Sequence, residues 1–180
     1  IRRIYHFEME DTYKYKHKKD VRVNTFEGLP SSLKYSIRYF ILVQKLMDYL
    51  PGIATKHRSM MINVSRFVDV QNNLYDVIKL WLTERLVPQI KKYGMMPDTA
   101  DDIYSGEFHY LKMIWDKEGF EQISGIKWSD FSPALLSDIK RIRVALQNNS
   151  KKSKEPNVGL NYDNYKDGDR VIVVGGQCLS

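Results

Sequence analysis

Residues 171–174 form an uninterrupted β-branched run, Val-Ile-Val-Val, which constrains the fold more than any other feature of the chain. A strand with one face in water alternates polar and apolar residues, whereas a run of this kind is typical of a strand buried on both faces. Gly175 and Gly176 follow it, and glycine permits either a tight turn or the close approach of a phosphate. We therefore expect a parallel sheet covered by helices, with this strand inside it.

Size and composition favour one domain. The chain has 180 residues, of which 43% are hydrophobic, and these suffice for one well-sized core. A formal net charge of +6 makes nucleic acid a plausible partner. Cys178 is the one cysteine, which excludes an internal disulfide and fits a reducing cytoplasm. Since no apolar run approaches the roughly 20 residues of a membrane span, we expect a cytoplasmic protein without a membrane partner.

The two ends of the chain predict a piece of a longer polypeptide. The first residue is Ile1 rather than methionine, and the chain stops shortly after the glycine pair. A domain that stopped there would expose the turn at the end of its most buried strand. Other domains of the same polypeptide are therefore expected partners.

One lobe is predicted over residues 29–180. Its first helix opens at Pro30-Ser31-Ser32 and carries apolar residues at helical spacing as far as Met47. Residues 1–28 mix aromatic and charged side chains without a clear period. We assign them to a separate N-terminal segment.

A strand and a long helix follow. The apolar run 59–65 is too short for a helix and predicts a buried strand. Residues 68–93 predict an amphipathic helix that Pro88 bends. Because a strand followed by a helix begins a parallel α/β unit, the fold class is α/β. His57 and Arg58 precede the strand, where we expect them to anchor structure or to meet a neighbouring domain.

Residues 95–131 interrupt this pattern and predict a helical insertion. A helix is expected over 107–118. Four aromatic residues would give the insertion a small core of its own, namely Trp115, Phe120, Trp128 and Phe131.

The last part of the chain returns to the α/β pattern. Ser132 and Pro133 predict a capped helix that continues from 134 to 140. A second strand is expected over 142–146. Asp167-Gly168-Asp169 then predicts a turn into the final strand.

Ligands of open parallel sheets bind beyond the carboxyl ends of the strands, because loops and helix amino termini supply backbone donors there. Three such ends can be located in the sequence. The residues that follow them are our candidates for phosphate or nucleic-acid contacts: Ser65, Arg66, Asn148, Ser150, Gly175, Gly176 and Ser180.

Each kind of candidate has a structural alternative. Arg66 would supply a planar, bidentate cation to a phosphate beside the Ser65 hydroxyl, but the pair also fits a helix cap followed by a surface arginine. Asn148 and Ser150 also fit an ordinary polar turn. The glycine pair also fits a structural turn.

No pattern in the sequence identifies a catalytic or metal centre. The acidic pairs Glu8/Glu10 and Asp101/Asp102 lack the arrangement of a metal-dependent nuclease, and the histidines lack metal-ligand spacing. The chain has no GxxxxGK[ST] loop for a nucleotide. We therefore assign no catalytic residue, metal ligand or cofactor to the chain itself.

Three segments resemble the motifs of one family. The segment His57-Arg-Ser-Met-Met-Ile-Asn-Val-Ser-Arg-Phe67 is similar to HxSMLIHxSR, with Asn63 in place of a histidine. The segment Val171-Ile-Val-Val-Gly-Gly-Gln-Cys-Leu-Ser180 is similar to the start of IVVGGNxLSRGLTLEGL, with Gln177 in place of an asparagine. Leu29-Pro-Ser-Ser-Leu33 resembles LPxSLxxAI. The family is the Z1 domain of predicted bacterial endonucleases.

This resemblance implies a partial RecA-like lobe, similar to the second lobe of a superfamily-two helicase. Met60 to Arg66 would then fall at the fourth helicase motif. Val173 to Ser180 would begin the fifth motif, which touches the nucleic-acid backbone and couples it to ATP. In that arrangement the strands that carry Met61 and Val173 lie side by side and point the same way.

The resemblance also implies a function. The parent protein would be a DNA-dependent ATPase or an endonuclease that uses ATP and Mg²⁺ in restriction or defence, and the isolated chain would be inactive. Two other classes stay open. One is a nuclease domain with its own metal site, and the other is a protein-interaction scaffold that binds through the first 27 residues and the Trp-rich insertion.

Overall fold

The computed structural model describes residues 25–50, 57–63, 67–96, 105–147 and 165–176. In these ranges, the α-helices and strands follow in the order α1 (Ser31–Leu46), β1 (Arg58–Asn63), α2 (Val68–Trp81), α3 (Val87–Gly94), α4 (Gly106–Lys117), α5 (Phe120–Ser124), α6 (Trp128–Phe131), α7 (Leu135–Asp138), β2 (Ile142–Gln147) and β3 (Arg170–Gly175). Short 3₁₀ segments cover Phe26–Gly28, Met47–Tyr49 and Ser132–Ala134.

The three strands form one parallel sheet in the order β1-β3-β2. Every residue of β3 is buried, as the β-branched run predicts, because β3 is the central strand. The predicted α/β class, with a parallel sheet flanked by helices, is confirmed. The strand that comes last in the chain thus lies between the two that come earlier.

Alternate residues of the strands face the helices. Met60, Ile172 and Val144 are register partners, and all three pack in the core with the apolar sides of α1 and α2. Successive side chains of a strand point to opposite faces, so Met61 and its partners lie on the other face. Met61 is 45% exposed, while its neighbour Val173 on the central strand is 1% exposed.

Pro88 divides the long helix predicted over 68–93. A proline nitrogen cannot donate to the carbonyl four residues earlier, which is that of Glu84. Residues Leu82–Leu86 form a π-helical segment, and α3 begins directly after it with Pro88 in its first turn. The chain stays helical there, because the Val87 N–H donates to the carbonyl of Leu82, and the π-helical segment accommodates the missing donor.

The four aromatic residues of the predicted insertion do pack together. The ring centroid of Trp115 lies 4.3 Å from that of Phe131 and 5.5 Å from that of Phe120. However, the Phe120 ring also lies 5.6 Å from Tyr39 of α1, and the cluster is continuous with the main core. The expectation of a separate small core is therefore wrong, because α4 packs directly on α1 and α3. The boundaries of the insertion stay a prediction.

Ser132 does not cap a helix as the sequence predicts. It is fully buried, its Oγ has no hydrogen-bond partner, and the residue before it, Phe131, is already helical. Because α6 runs directly into the 3₁₀ segment, backbone carbonyls supply the acceptors that a cap would provide. The helix after it is also shorter than the predicted 134–140, since α7 ends at Asp138.

The turn before β3 is confirmed. Gly168 has a φ of 87°, a left-handed conformation that favours glycine. The backbone N–H of Asp169 donates to the carbonyl of Lys166 at 3.0 Å, and Asp169 Oδ2 accepts from the Lys166 N–H at 3.1 Å. The turn therefore sets the point at which β3 enters the sheet.

Candidate phosphate-binding edge of the sheet

The carboxyl ends of all three strands lie at one edge of the sheet. Asn63 of β1 and Gln147 of β2 are both register partners of Gly175, the last residue of β3. Two amide side chains therefore flank a glycine at the end of the buried central strand. We call this row the carboxyl edge.

Gly175 and Gly176 are both buried. Among the described glycines, those with positive φ are Gly106, Gly119, Gly125 and Gly168. Gly175 and Gly176 are not among them, so a left-handed conformation is not what requires glycine there. The close approach of a phosphate to the backbone at this pair stays a prediction.

The amino end of α2 lies next to this edge, because only the loop 64–67 separates it from the end of β1. Phe67 occupies the N-cap position and supplies no side-chain hydrogen bond. Ser65 itself lies outside the described residues, so its two interpretations stay open. A helix amino terminus attracts anions through its free N–H groups and its dipole. The exposed carboxylate of Asp69 in the first turn opposes this attraction.

Most of the predicted contact residues fall outside the described residues. These are Ser65, Arg66, Asn148, Ser150 and Ser180. Along the chain, Asn148 directly follows the last residue of β2, and Ser65 lies between β1 and α2. Their roles remain predictions, as do those of the described pair Gly175 and Gly176.

Two polar residues near this edge are buried, although the sequence pattern did not predict it. Gln71 is 3% exposed and Asn72 is 9% exposed, and both lie in the first two turns of α2. Neighbouring polar residues that are both buried at a helix start are unusual, because a buried polar group requires hydrogen-bond partners. Helical spacing does place Gln71 on the apolar face, three residues before Leu74 and seven before Ile78, but its polar side chain kept it out of the predicted core.

The opposite, amino edge of the sheet holds a buried ion cluster. Asp48, which follows α1, accepts hydrogen bonds from Arg58 Nη1 at 2.9 Å and from Arg170 Nη2 at 2.6 Å. Arg58 Nη1 also donates to the carbonyl of Gln44 at 2.6 Å. The side chain of Arg170 is 1% exposed. Arg58, which is the first residue of β1, thus anchors structure, which is one of the two predicted alternatives.

Asp138 is the second carboxylate of this cluster. Its Oδ2 lies 3.5 Å from Arg170 Nε, and its Oδ1 lies 3.7 Å from Lys45 Nζ. Burial raises the pKa of Asp138 above its ordinary value, although Lys45 and Arg170 act in the opposite direction. The cluster ties α1 and α7 to the first residues of β1 and β3, and it is a structural element rather than a reactive site.

The described residues give little support to the two alternative functions, a metal-dependent nuclease and a protein-interaction scaffold. Within the five described ranges, no group of three or more histidine, cysteine or acidic side chains is placed to hold a metal ion. The acidic pairs at 8/10 and 101/102 lie outside those ranges. Trp115 is 0% and Trp128 is 5% exposed, so neither is presented to a partner protein. In the same part of the chain, no helix has the length and apolarity to cross a bilayer.

Fold and edge together define a helix-flanked parallel α/β domain with its strand ends gathered in one row. The Z1 domain family matches residues 32–180, which is most of the chain, and the protein belongs to that family. The family resemblance is thereby confirmed, and the segments 57–67 and 171–180 lie within the matched residues. No curated protein and no solved structure matches the chain.

Proposed function

We propose that this domain contributes the second lobe of a helicase-like ATPase that acts on DNA, in restriction or in defence against foreign DNA. One observation carries the proposal. Three parallel strands end in register at Asn63, Gly175 and Gln147, with a glycine on the buried central strand. A phosphate can approach main-chain N–H groups closely at such a point, because no side chain obstructs it.

The candidate residues have distinct roles in this proposal. Arg66 binds a phosphate through its planar guanidinium group, and the Ser65 hydroxyl donates to an oxygen of the same phosphate. Asn148, Ser150 and Ser180 contribute further hydrogen bonds from the loops after β2 and β3. The amino end of α2 adds its helix dipole at the same edge, a contribution that the exposed Asp69 carboxylate reduces.

ATP and Mg²⁺ belong to the parent protein and would supply the driving reaction. This chain has no phosphate loop, so we expect the 180-residue chain alone neither to hydrolyse ATP nor to cut DNA. We assign DNA cleavage to none of its residues. Its own role is to bind the nucleic-acid backbone and to couple that binding to the ATPase.

The test is the ATPase rate of the whole protein that carries this domain, measured with and without duplex DNA. Arg66→Ala is expected to abolish most of the stimulation by DNA. Lys91→Ala, on the exposed side of α3, is the matched control and should keep it. An ATPase rate indifferent to DNA, or equal stimulation in both variants, would overturn the proposal. So would ATP hydrolysis by the isolated chain that Arg66→Ala abolishes.

A further inference from the structure

A second group of cations lies at the amino edge of the sheet, opposite the carboxyl edge. Lys140, Arg141, Arg143 and Lys166 are all exposed. They belong to the start of β2 and to the turn before β3, which the sheet brings together. We call these four residues the amino-edge patch.

Backbone and side-chain contacts hold the patch together. The Arg170 N–H donates to the carbonyl of Arg141 at 2.9 Å, so Arg141 lies beside the first residue of β3. Its guanidinium group lies against the turn, since a Cβ on Gly168 would be 3.1 Å from Arg141 Nη1. Arg143 Nε lies 3.2 Å from Asp169 Oδ2 in the same turn. Both arginines are therefore fixed against a structured turn.

The cations of the patch outnumber its carboxylates. Asp169 pairs with Arg143 and is nearly buried, while Asp167 is exposed. Among the described residues, Lys140, Arg141 and Lys166 have no ion-pair partner within 4.0 Å. Asp138 lies beneath Arg141 but is buried and already paired with Arg170 and Lys45. Two lysines and an arginine are thus available to an external anion.

We infer that the amino-edge patch binds the phosphate backbone of a nucleic acid. Arginine presents a planar fork that matches phosphate oxygens, and a row of exposed cations binds a polyanion by releasing its counterions. The structure offers no large apolar side chain among the four residues that would enter a lipid bilayer. Because contacts to phosphate carry no sequence information, we expect the patch to bind without sequence preference.

This contact is separate from the proposed one at the carboxyl edge. A six-residue β-strand spans about 20 Å. This length corresponds to about six nucleotides of one nucleic-acid strand, at about 3.4 Å each. A nucleic acid that touches both edges must be at least that long. The inference extends the proposed function without depending on ATP.

The test is the affinity of the 180-residue chain for a fluorescent 20-base-pair duplex, measured by anisotropy over a series of salt concentrations. The patch variant carries K140Q, R141Q and K166Q. The control variant carries K91Q, K127Q and R85Q, which removes the same number of lysines and arginines from exposed positions outside the patch. Urea unfolding midpoints establish that both variants remain folded.

The patch variant is expected to bind about tenfold or more weakly, and the salt slope should fall by about 2 to 3, since each lost phosphate contact removes about 0.9. The control should bind within about twofold of the wild type. Equal losses in the two variants, or none in either, would overturn the inference. Binding to vesicles with phosphatidylserine, in place of DNA, would also overturn it. Arg66→Ala in the same assay reports the carboxyl edge separately, so failure of one contact is distinguishable from failure of the other.

Discussion

Met61 of β1 lies directly opposite Val173 of β3 in parallel register. The two strands are far apart in the chain, and a parallel pair of neighbours requires a long crossover connection. Because they point the same way, Asn63 and Gly175 end at the same edge of the sheet. This relationship was predicted from the family resemblance and is confirmed. An antiparallel pairing would have sent the two ends to opposite edges and excluded a shared site.

Asp48 is expected to be the most sensitive member of the amino-edge ion cluster. Asp48→Ala removes the hydrogen-bond acceptor of the buried Arg170 and of Arg58, and leaves both charges without it. Removing one partner of a buried pair costs about 3 to 5 kcal/mol, so we expect a loss of about 3 kcal/mol in the free energy of unfolding. Urea denaturation measures it. Asp116→Ala, which breaks the exposed pair with Lys112, should cost less than about 0.5 kcal/mol; similar losses would contradict the account.

Asp138 should make stability depend on pH in the direction opposite to an ordinary ion pair. Burial raises its pKa in the folded state, so the folded protein holds the proton more tightly than the unfolded chain. Stability from this group is therefore greatest in acid and is lost as the pH rises from the ordinary pKa of 3.8 through the raised folded value.

The measurement is the difference in unfolding free energy between Asp138→Asn and the wild type across that pH range. The asparagine variant cannot ionise, so it should gain relative to the wild type as the pH rises to neutrality. The gain should vanish toward acid. The opposite slope would show that the ion pairs with Arg170 and Lys45 outweigh burial, and a difference that is constant with pH would show that the two effects cancel; either result contradicts the prediction.

Gly106 should tolerate substitution less well than Gly125. Both have positive φ, 55° and 72°, so alanine at either position costs about 1 to 2 kcal/mol for the left-handed backbone. A Cβ at Gly106 would also lie 2.5 Å from Gln89 Nε2 and 2.9 Å from Gln89 Oε1, whereas nothing lies within 4 Å at Gly125.

The displaced oxygen matters because Gln89 Oε1 accepts the backbone N–H of Phe108 in the first turn of α4. Gly106→Ala is therefore expected to lose about 1 kcal/mol more than Gly125→Ala, which is a typical value for one hydrogen bond at a helix start. Thermal or urea unfolding of the two variants compares them. Equal destabilisation would mean that Gln89 moves aside without loss.

The strands could be predicted because their signal is local. The β-branched residues of β3 require burial wherever the strand lies, and the strands predicted over 59–65 and 142–146 correspond to β1 (Arg58–Asn63) and β2 (Ile142–Gln147). The position of β2, which pairs with β3 on the side opposite β1, could not be predicted, because the sequence of a strand does not determine which strand lies beside it. The interruption before Pro88 was expected as a bend, but its π-helical form depends on how α2 and α3 pack.

The ion cluster and the edge residues show a second limit. Asp48 and Arg170 are 122 positions apart, and the sequence contains many opposite charges at such distances. Only the fold selects this pair. The failed cap at Ser132 has a similar cause, since a serine before proline predicts a helix start only when the preceding residue is not already helical. The contact residues at the carboxyl edge were inferred from where parallel strands end, and their roles remain predictions.

The dependence of DNA binding on salt tests the central claim most directly, because the account rests on phosphate contacts at the edges of this sheet. The measurement is the Kd of the chain for a fluorescent duplex from low to high salt, plotted on logarithmic axes. The account predicts a straight line with a steep slope, about 0.9 for each phosphate contact, and a shallower one for Arg66→Ala. A flat line, or no binding at low salt, would contradict it.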